Sequence, residues 1–397
     1  MLLDVGRFFS KKLLPDGKPT PEMLVRNSWV LKGYQSIQHD VANLSHWDLP
    51  YAQSLFEKET HQMHERESPV IQGFISANVR AANENYLSPP AYLIKELKGD
   101  RLPDRGNGQR TWRVGVVGVT EMLNKNPERE TRLIIDDPLV ASRRAILEAR
   151  AQCDLLVVLA YVSEDTAFKL LDLNPEVDVV IAPRARWGRT YQSKHGWLVY
   201  ADPQTKLLGE LRIYVDATGR VSRVADRHIM LDDKIPGDPA TEALVKEAHE
   251  QIAAAVKAWL TQQQTSGLSG PKEPLAAGLF VTAQTCGACH REEFATWSQS
   301  AHARAFATLE RRNQHFESQC IGCHTTGYQA GGFQQALLTP HLADVQCETC
   351  HGPGQAHIAD PMKPYGRVSA PQACLACHTR ADSPEFDYAA YWPKLEH

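Results

Sequence analysis

Apolar and polar residues follow two different periodicities along the first 240 residues. Short apolar runs of strand length are separated by stretches in which apolar residues recur every three or four positions. The predicted strands are 112–119, 154–162, 177–181, 196–201, 207–216 and 220–231, the last three as a meander, and the predicted helices are 138–152 and 166–173. Strands that alternate with helices, followed by consecutive strands, predict a layered α/β (or α+β) domain with a mixed sheet.

The pattern changes near residue 262. A predicted helix from about 240 to 262 ends in a polar stretch rich in glutamine, serine, glycine and proline, which is typical of a linker. The rest of the chain shows little regular periodicity beyond short helices. We therefore expect one domain over residues 1–262, a linker over 263–280 and a mainly α-helical domain over 281–397.

A repeated Cys-x-x-Cys-His pentapeptide dominates the chemistry of the last domain. Its four copies contain eight of the nine cysteines of the chain. In each copy two thiols can bond the edge of a porphyrin, and the adjacent imidazole can bind the iron. The predicted attachment residues are Cys286, Cys289, Cys320, Cys323, Cys347, Cys350, Cys374 and Cys377, and the predicted proximal iron ligands are His290, His324, His351 and His378. The sequence therefore predicts four haem c groups.

Zinc binding and disulfide formation are the alternatives for paired cysteines. Neither requires a histidine directly after the second cysteine, whereas all four pairs have one. The ninth cysteine, Cys153, precedes an apolar run and is expected to be a buried thiol at the start of a strand. Four haems leave too little chain for an ordinary apolar core, so the porphyrins are expected to form the core of the domain, which should unfold without them.

The predicted haems also indicate a compartment. Covalent haem attachment takes place outside the cytoplasm, so we expect a periplasmic or extracellular protein. Met1 to Phe9 lacks the features of a secretory signal, and we expect that the true start lies upstream or that a leader has been removed. No apolar run of about 18 residues predicts a membrane span, and no basic stripe indicates nucleic acid.

Each haem iron has a second axial position, for which other histidines of the last domain compete. They are His302, His315, His341, His357 and His397. His302 follows His290 by 12 residues in a stretch with helical character, and along a continuous helix the two would lie about 18 Å apart. His302 is therefore expected to bind a different haem. His357 follows a Gly-Pro-Gly turn, and both it and the final residue, His397, are predicted ligands. For the last position His341, His315 and an open iron remain as alternatives.

The order of these motifs resembles that of the cytochrome c-554 family of tetrahaem electron carriers. The resemblance covers residues 284–397. It is carried by Ser-Ala-His-Ala around His302, by Cys-His-Thr-Thr-Gly from Cys323, and by Gln-Cys-Glu-Thr-Cys-His-Gly-Pro-Gly from Gln346. These blocks recur together with the four pentapeptides, so the resemblance implies electron transfer through four haems.

The family resemblance also implies an assignment of distal ligands, with the haems numbered by the order of their pentapeptides. It implies that His302 binds the third haem, His357 the first and His397 the fourth. It further implies that the second haem has no distal protein ligand. His341 departs from the family pattern, so the coordination of the second haem stays open between His341, His315 and no protein ligand.

Residues 1–240 resemble the metallophosphatase domain of bacterial 5′-nucleotidases. The matching stretches are 2–6, 33–36, 75–79, 115–120 and 151–186. Such enzymes hold two metals with Asp, Asn and His ligands. Several ligand positions differ here. The Gly-Asp of the family is replaced by Gly6-Arg7, its Asn-His by Ser45-His46, and a His of a core strand by Tyr161. Its Gly-His-x-His is replaced by Pro183-Arg184-Ala185-Arg186, and its opening Asp-x-His strand is absent. Guanidinium groups repel divalent metals, so phosphatase or nucleotidase activity is not expected.

Two roles are compatible with such a domain. It can be a scaffold that docks the cytochrome or a partner, or an anion pocket formed by Arg7, Arg184 and Arg186.

For the whole chain we expect an electron carrier rather than an enzyme, with redox proteins as donor and acceptor. The alternatives are an oxidoreductase acting on a small nitrogen or sulfur compound at an open iron, a subunit of a larger cytochrome assembly, and a nucleotidase with an accessory cytochrome.

Overall fold

The structure is a computed structural model of the chain. It describes residues 1–9, 20–100, 109–123, 131–183, 190–201, 207–231, 234–265, 279–312, 314–315, 318–334, 336, 339–366, 368, 371–379 and 382–396. The chain divides into two units, Met1–Ala248 and His249–His397. The predicted linker over 263–280 lies mostly outside the described residues, and the predicted domain boundaries stay a prediction.

The first unit combines short strands with helices. Its strands are β1 (Leu3–Asp4), β2 (Val41–Asn43), β3 (Phe74–Ile75), β4 (Val79–Ala81), β5 (Tyr92–Asp100), β6 (Gln109–Thr120), β7 (Leu133–Ile135), β8 (Leu155–Tyr161), β9 (Val179–Pro183), β10 (Tyr191–Gln192), β11 (Trp197–Ala201), β12 (Leu207–Val215) and β13 (Val221–Met230). Its helices are α1 (Pro21–Ser36), α2 (Leu49–Leu55), α3 (His61–Glu67), α4 (Pro138–Arg150) and α5 (Glu164–Leu173), with a 3₁₀ turn at Pro69–Gly73. Helix α6 (Pro239–Thr265) contains the division between the two units.

The largest sheet of the first unit has six strands in the order β10-β11-β9-β8-β6-β5. Strands β11, β9, β8 and β6 run parallel, and the two outer strands are antiparallel to their neighbours. Every residue of β8 is buried, as expected for a parallel strand that is covered on both faces. Helices α4 and α5 pack on one face through Ile146 and Leu170, which contact the cluster around Val158. This arrangement confirms the predicted layered α/β class with a mixed sheet.

The opposite face of the sheet packs against strands of the three-stranded sheet and of the β12-β13 pair. Val41 of β2, Ile75 of β3 and Val224 of β13 belong to one apolar cluster with Val157 of β8. The predicted meander is wrong in one respect, because β11 pairs in parallel with β9, whereas β12 and β13 form a separate antiparallel pair. The physical reason is burial. Successive residues of β11 are buried on both faces, which suits an inner strand, whereas β12 is mostly half-buried and β13 mostly exposed.

Local sequence determines where the two helices on the sheet begin. The Asp137 carboxylate accepts the N–H groups of Leu139 and Val140, and Pro138 is the first residue of α4. The Ser163 hydroxyl caps α5 in the same way. Capping satisfies N–H groups that have no partner within the helix, so each helix begins at its cap.

A buried carboxylate holds the segment after β1. Asp48 accepts the N–H groups of Arg7 at 2.7 Å, Phe8 at 3.0 Å and Phe9 at 2.9 Å, and it also accepts the hydroxyl of Ser45 at 2.5 Å. Arg7 has a φ of 76°, which residues with a side chain rarely adopt. Asp48 therefore stabilises a turn with an unfavourable backbone angle, and burial raises the pKa of its carboxyl to about 6.

We expect this carboxyl to make folding less stable as the pH rises from about 4 to about 6. The folded pKa lies above the ordinary value of 3.8, so the folded chain keeps a proton that the unfolded chain releases over this interval. An Asp48→Asn variant cannot ionise there and should lack this part of the pH dependence. Thermal unfolding of both proteins across the interval measures the difference, and parallel curves for the two would contradict the prediction.

Beyond α6, the second unit consists of short helices joined by irregular segments. They are α7 (Ala283–Gly287), α8 (Arg291–Gln299), α9 (Ala305–Arg311), α10 (Ser318–His324), α11 (Cys347–His351), α12 (Gln355–Ala359), α13 (Gln372–Leu375) and α14 (Tyr388–Tyr391), with 3₁₀ turns at His302–Arg304, Pro340–Leu342 and Trp392–Lys394. A small apolar cluster is formed around Phe306 and Phe333. The unit is mainly helical, as predicted. Among the described residues of the whole chain, no helix has the length and apolar character needed to span a membrane.

Candidate functional site

The four pentapeptides all lie at short helices. Those of α10 and α11 fall within the helix and end on its histidine, and those that begin in α7 and α13 continue the turn beyond the helix. In the first pentapeptide the N–H of His290 donates to the carbonyl of Cys286 at 2.9 Å, and His378 donates to Cys374 at the same distance. Residues three apart on a helical turn share a face, so the two thiols of each pair are presented on the same side.

Three of the four proximal histidines have one ring nitrogen held by the chain. In each case the nitrogen is Nδ1 and its partner is a carbonyl or hydroxyl oxygen. The distances are 2.7 Å from His324 to the carbonyl of Ala305, 2.5 Å from His351 to the carbonyl of Gly366, and 3.1 Å from His378 to the hydroxyl of Ser383. Such a bond fixes the orientation of the ring and leaves Nε2 for a metal. These residues therefore fit the role of axial iron ligands.

Two pairs of histidines have the separation that an iron between them requires. The ring centres of His290 and His357 lie 6.3 Å apart, and those of His302 and His378 lie 6.1 Å apart. Two imidazoles on opposite sides of one iron, with metal–nitrogen bonds of about 2.0 Å, have ring centres about 6 Å apart. In addition, Nδ1 of His357 is buried with no hydrogen-bond partner among the described residues. The residues present fit bis-histidine haems at the first and fourth pentapeptides.

The position of His302 differs from the one that the family resemblance implies. The chain does not continue as one helix from His290 to His302, because α8 ends at Gln299 and Ser300 is extended. The N–H of Val345 then donates to the carbonyl of His302 at 3.1 Å, and the indole of Trp297 donates to the carbonyl of Val345 at 2.8 Å. These bonds place His302 opposite His378 of the fourth pentapeptide, whereas the family resemblance implies the third haem. His357, by contrast, lies opposite His290, as the resemblance implies.

Three further histidines were candidate axial ligands. His341 is exposed on the 3₁₀ turn at Pro340–Leu342, and its carbonyl accepts the side chain of Gln346. His315 is half-buried, with its ring 6.0 Å from that of Phe306. His397 lies outside the described residues. The alternatives for the second haem, His341, His315 and no protein ligand, all remain.

Contacts between cysteines show how the pentapeptides approach one another. The thiol of Cys286 lies beside that of Cys347, and this proximity raises the pKa of Cys286. Burial, together with the nearby thiol of Cys323, raises the pKa of Cys377 to about 12. Burial, with a smaller contribution from neighbouring Cys374, raises the pKa of the Cys350 thiol. The first pentapeptide therefore adjoins the third, the third adjoins the fourth, and the fourth adjoins the second.

A buried acid in the third pentapeptide connects it to the first. Glu348 is 2% exposed, and its carboxylate accepts the N–H groups of Val281 at 2.9 Å, Thr282 at 3.1 Å and Gly354 at 2.6 Å. The neighbouring Gln346 accepts the N–H of Ala283 at 2.6 Å. Neither side chain was predicted to have a role in the site. A carboxylate between the two cysteines of a haem motif, with a glutamine directly before the first cysteine, is the signal that could have identified them.

In the first unit, the aspartate of the first phosphatase-like stretch, Asp4 in residues 2–6, forms hydrogen bonds within the chain. Asp4 accepts the hydroxyl of Tyr34 and the N–H of Gly6, each at 2.7 Å. Burial is the main cause that raises the pKa of Tyr34, with the Asp4 charge adding to it, so the hydroxyl remains a donor. Asp4 therefore has hydrogen-bond partners within the protein at the edge of the three-stranded sheet.

The substituted ligand positions lie close to aromatic rings. The guanidinium of Arg7 lies 5.7 Å from the ring centre of Trp47, and His46 is buried with its ring 5.6 Å from that of Tyr161. Arg184 and Arg186 lie outside the described residues. Among the residues that the structure describes, no group of three or more His, Cys, Asp or Glu side chains is arranged to hold a metal ion.

The second unit matches a known family. Residues 285–352 match the family model described as Cytochrome c554 and c-prime. Cytochrome c-554 of Nitrosomonas europaea is 28% identical over 128 residues, which cover 28% of this chain and 51% of that protein. The chain thus spans about half of the length of this relative. The match supports haem c as the cofactor and a multihaem cytochrome as the class of the matched region.

Solved structures with similarity to the chain come from the class that the first unit resembles in sequence. Sulfate thiohydrolase SoxB of Thermus thermophilus, solved with glycerol, has a TM-score of 0.45 at 17% identity over 71% of this chain and 44% of its own. The 5′-nucleotidase precursor of the same organism has a TM-score of 0.46 at 16% identity over 64% and 49%. A putative 5′-nucleotidase of Staphylococcus aureus, in complex with alpha-ketoglutarate, has a TM-score of 0.42 at 14% identity over 62% and 49%. Structural similarity at this level does not support a conclusion about activity.

Proposed function

We propose that residues 281–397 form a tetrahaem c-type cytochrome that carries electrons between redox proteins outside the cytoplasm. The observation that carries the proposal is the pairing of His290 with His357 and of His302 with His378 at the spacing of a bis-histidine iron. Each pair contains one histidine of a Cys-x-x-Cys-His pentapeptide and one from elsewhere in the unit. When bound, each haem iron supplies a one-electron Fe(III)/Fe(II) couple.

The contacts between pentapeptides suggest a route for the electrons. The cysteines would bond porphyrin edges, and Cys286 contacts Cys347, Cys350 lies near Cys374, and Cys377 contacts Cys323. We therefore place the haems in a row in the order first, third, fourth, second. In this row the chain holds the axial imidazoles in place, so each electron transfer needs little rearrangement of the ligands.

For the first unit we propose a scaffold or docking role without two-metal phosphatase chemistry. Arg7 and Tyr161 occupy positions where the resemblance expects metal ligands, and a guanidinium cannot bind a divalent cation. Asp4, which lies in the matching stretch 2–6, is hydrogen-bonded to Tyr34. The anion pocket remains the alternative, and Arg7 is the part of it that the structure describes.

A second candidate function concerns the second pentapeptide. Nδ1 of His324 is held by the carbonyl of Ala305 at 2.7 Å, and the family resemblance implies no distal protein ligand for this haem. If this iron is open, the chain is an oxidoreductase that acts on a small nitrogen or sulfur compound. A high-spin absorption band that shifts with nitric oxide or cyanide would favour this enzyme over the carrier.

The first test of the proposal is the number of haems on the exported protein. Because four pentapeptides present paired thiols, we expect four haems per chain by pyridine haemochrome absorbance and intact mass. A variant with Cys374→Ala and Cys377→Ala should carry three. The matched control is Cys153→Ala, which removes the cysteine outside the motifs and should leave four. Zinc on the thiols, or four haems in the double variant, would refute the proposal.

A further inference from the structure

We propose that the adjacent residues Tyr365 and Gly366 are a shared positioning element for the axial ligands of the first and third haems. The inference rests on the proposed function, since it requires haems on those two pentapeptides. Tyr365 contacts His357, the distal candidate for the first haem, and Gly366 contacts His351, the proximal candidate for the third. One dipeptide thus contacts ligands that belong to two haems.

Tyr365 holds the ring of His357 by stacking. The two rings are nearly parallel, with centres 4.7 Å apart and an angle of 8° between their planes. His357 Nδ1 has no hydrogen-bond partner among the described residues, so the stacked ring provides the contact that sets its orientation. The hydroxyl of Tyr365 donates to the carbonyl of Gly352, which anchors the tyrosine to the turn before His357.

The same turn is fixed from its other side. Glu348 accepts the N–H of Gly354 at 2.6 Å, while Tyr365 binds the carbonyl of Gly352. The turn that leads to His357 is therefore fixed at both ends by residues outside it.

Gly366 holds the ring of His351 by a hydrogen bond that requires a glycine. Its carbonyl accepts Nδ1 of His351 at 2.5 Å. Its φ is 65°, and a Cβ at this position would lie 2.9 Å from Cβ of His351 and 3.1 Å from its Nδ1. Any side chain there would displace His351. Because Tyr365 and Gly366 share a peptide bond, such a displacement would also move the ring that stacks on His357.

Electron paramagnetic resonance of the four-haem protein tests the pairing. Tyr365→Leu removes the stacked ring, and we expect the low-spin signal of the first haem to be replaced by that of a high-spin haem that binds carbon monoxide. Tyr365→Phe keeps the ring and should keep all low-spin signals. The matched control is Tyr388→Leu. Tyr388 is also a half-buried tyrosine, but it stacks on Trp392, with ring centres 5.7 Å apart, and not on a ligand. This variant should resemble the wild type.

Gly366→Ala tests the shared character of the element. We expect it to shift the g-values of two haems, those of His351 and His357, while the haem count stays at four. The inference is overturned if Gly366→Ala alters one signal or none, if Tyr365→Leu keeps the wild-type signals, or if Tyr365→Phe loses a low-spin signal. If the Tyr365→Leu variant fails to load haem, the spectra of Tyr365→Phe and Gly366→Ala test the inference. Fewer than four haems in the wild type would instead contradict the proposed function.

Discussion

Without its haems, the second unit is expected to lose its structure while the first unit stays folded. The second unit has one small described cluster of buried apolar residues, around Phe306, Ile321 and Phe333. The first unit, in contrast, has three clusters that cover both faces of its largest sheet and pack around α1 and α2. Because apolar burial is the main favourable contribution to folding, the second unit depends on the porphyrins for its core.

Limited proteolysis of a chain with all eight motif cysteines changed to alanine measures this effect. We expect rapid cleavage throughout residues 279–396 and survival of a fragment that contains the first unit. The haem-loaded protein should resist cleavage in both units under the same conditions. A second unit that is equally protected with and without haem would show that the polypeptide alone holds it together.

Replacement of Glu348 with leucine is expected to have the next largest effect on the second unit. The change leaves the N–H groups of Val281, Thr282 and Gly354 without the carboxylate that they share. A buried donor that loses its partner costs about 1–3 kcal/mol, so the summed loss is several kcal/mol. The contact between the first and third pentapeptides should weaken, because Val281 and Thr282 lead directly into α7, which carries Cys286.

Denaturant unfolding of the haem-loaded protein, followed by haem absorbance, measures the loss. Glu348→Gln keeps one acceptor oxygen and should fall between the wild type and the leucine variant. Glu385→Leu is the matched control, because Glu385 is exposed and such surface changes usually stay within about 0.5 kcal/mol. A leucine variant at 348 as stable as this control would contradict the role given to the carboxylate.

Local patterns were sufficient for much of the first unit. The helix predicted from 138 begins at Pro138 as observed, because its cap and first-turn proline are encoded next to each other. The apolar run at 154–162 is β8, since a strand buried on both faces needs apolar residues throughout. The pairing of the strands was harder to predict from local sequence patterns. The parallel alignment of β11 with β9 depends on contacts between distant segments, which alternation along the chain does not encode.

In the candidate site, too, some residues could be predicted from local sequence and others could not. The attachment cysteines and proximal histidines follow from a motif of five consecutive residues. The partner of His302 does not, because it depends on a hydrogen bond with Val345, 43 positions away along the sequence. Glu348 and Tyr365 were missed for the same reason, since each acts through contacts with segments that are remote in sequence.

A reductive titration of the exported, haem-loaded protein tests the central claim most directly. With electrons added stepwise and the visible spectrum followed, the row of four haems predicts an uptake of four electrons per chain, all of them appearing as reduced c-type haem. An uptake of fewer than four electrons, or electrons that enter without reduction of covalently bound haem, would contradict the account.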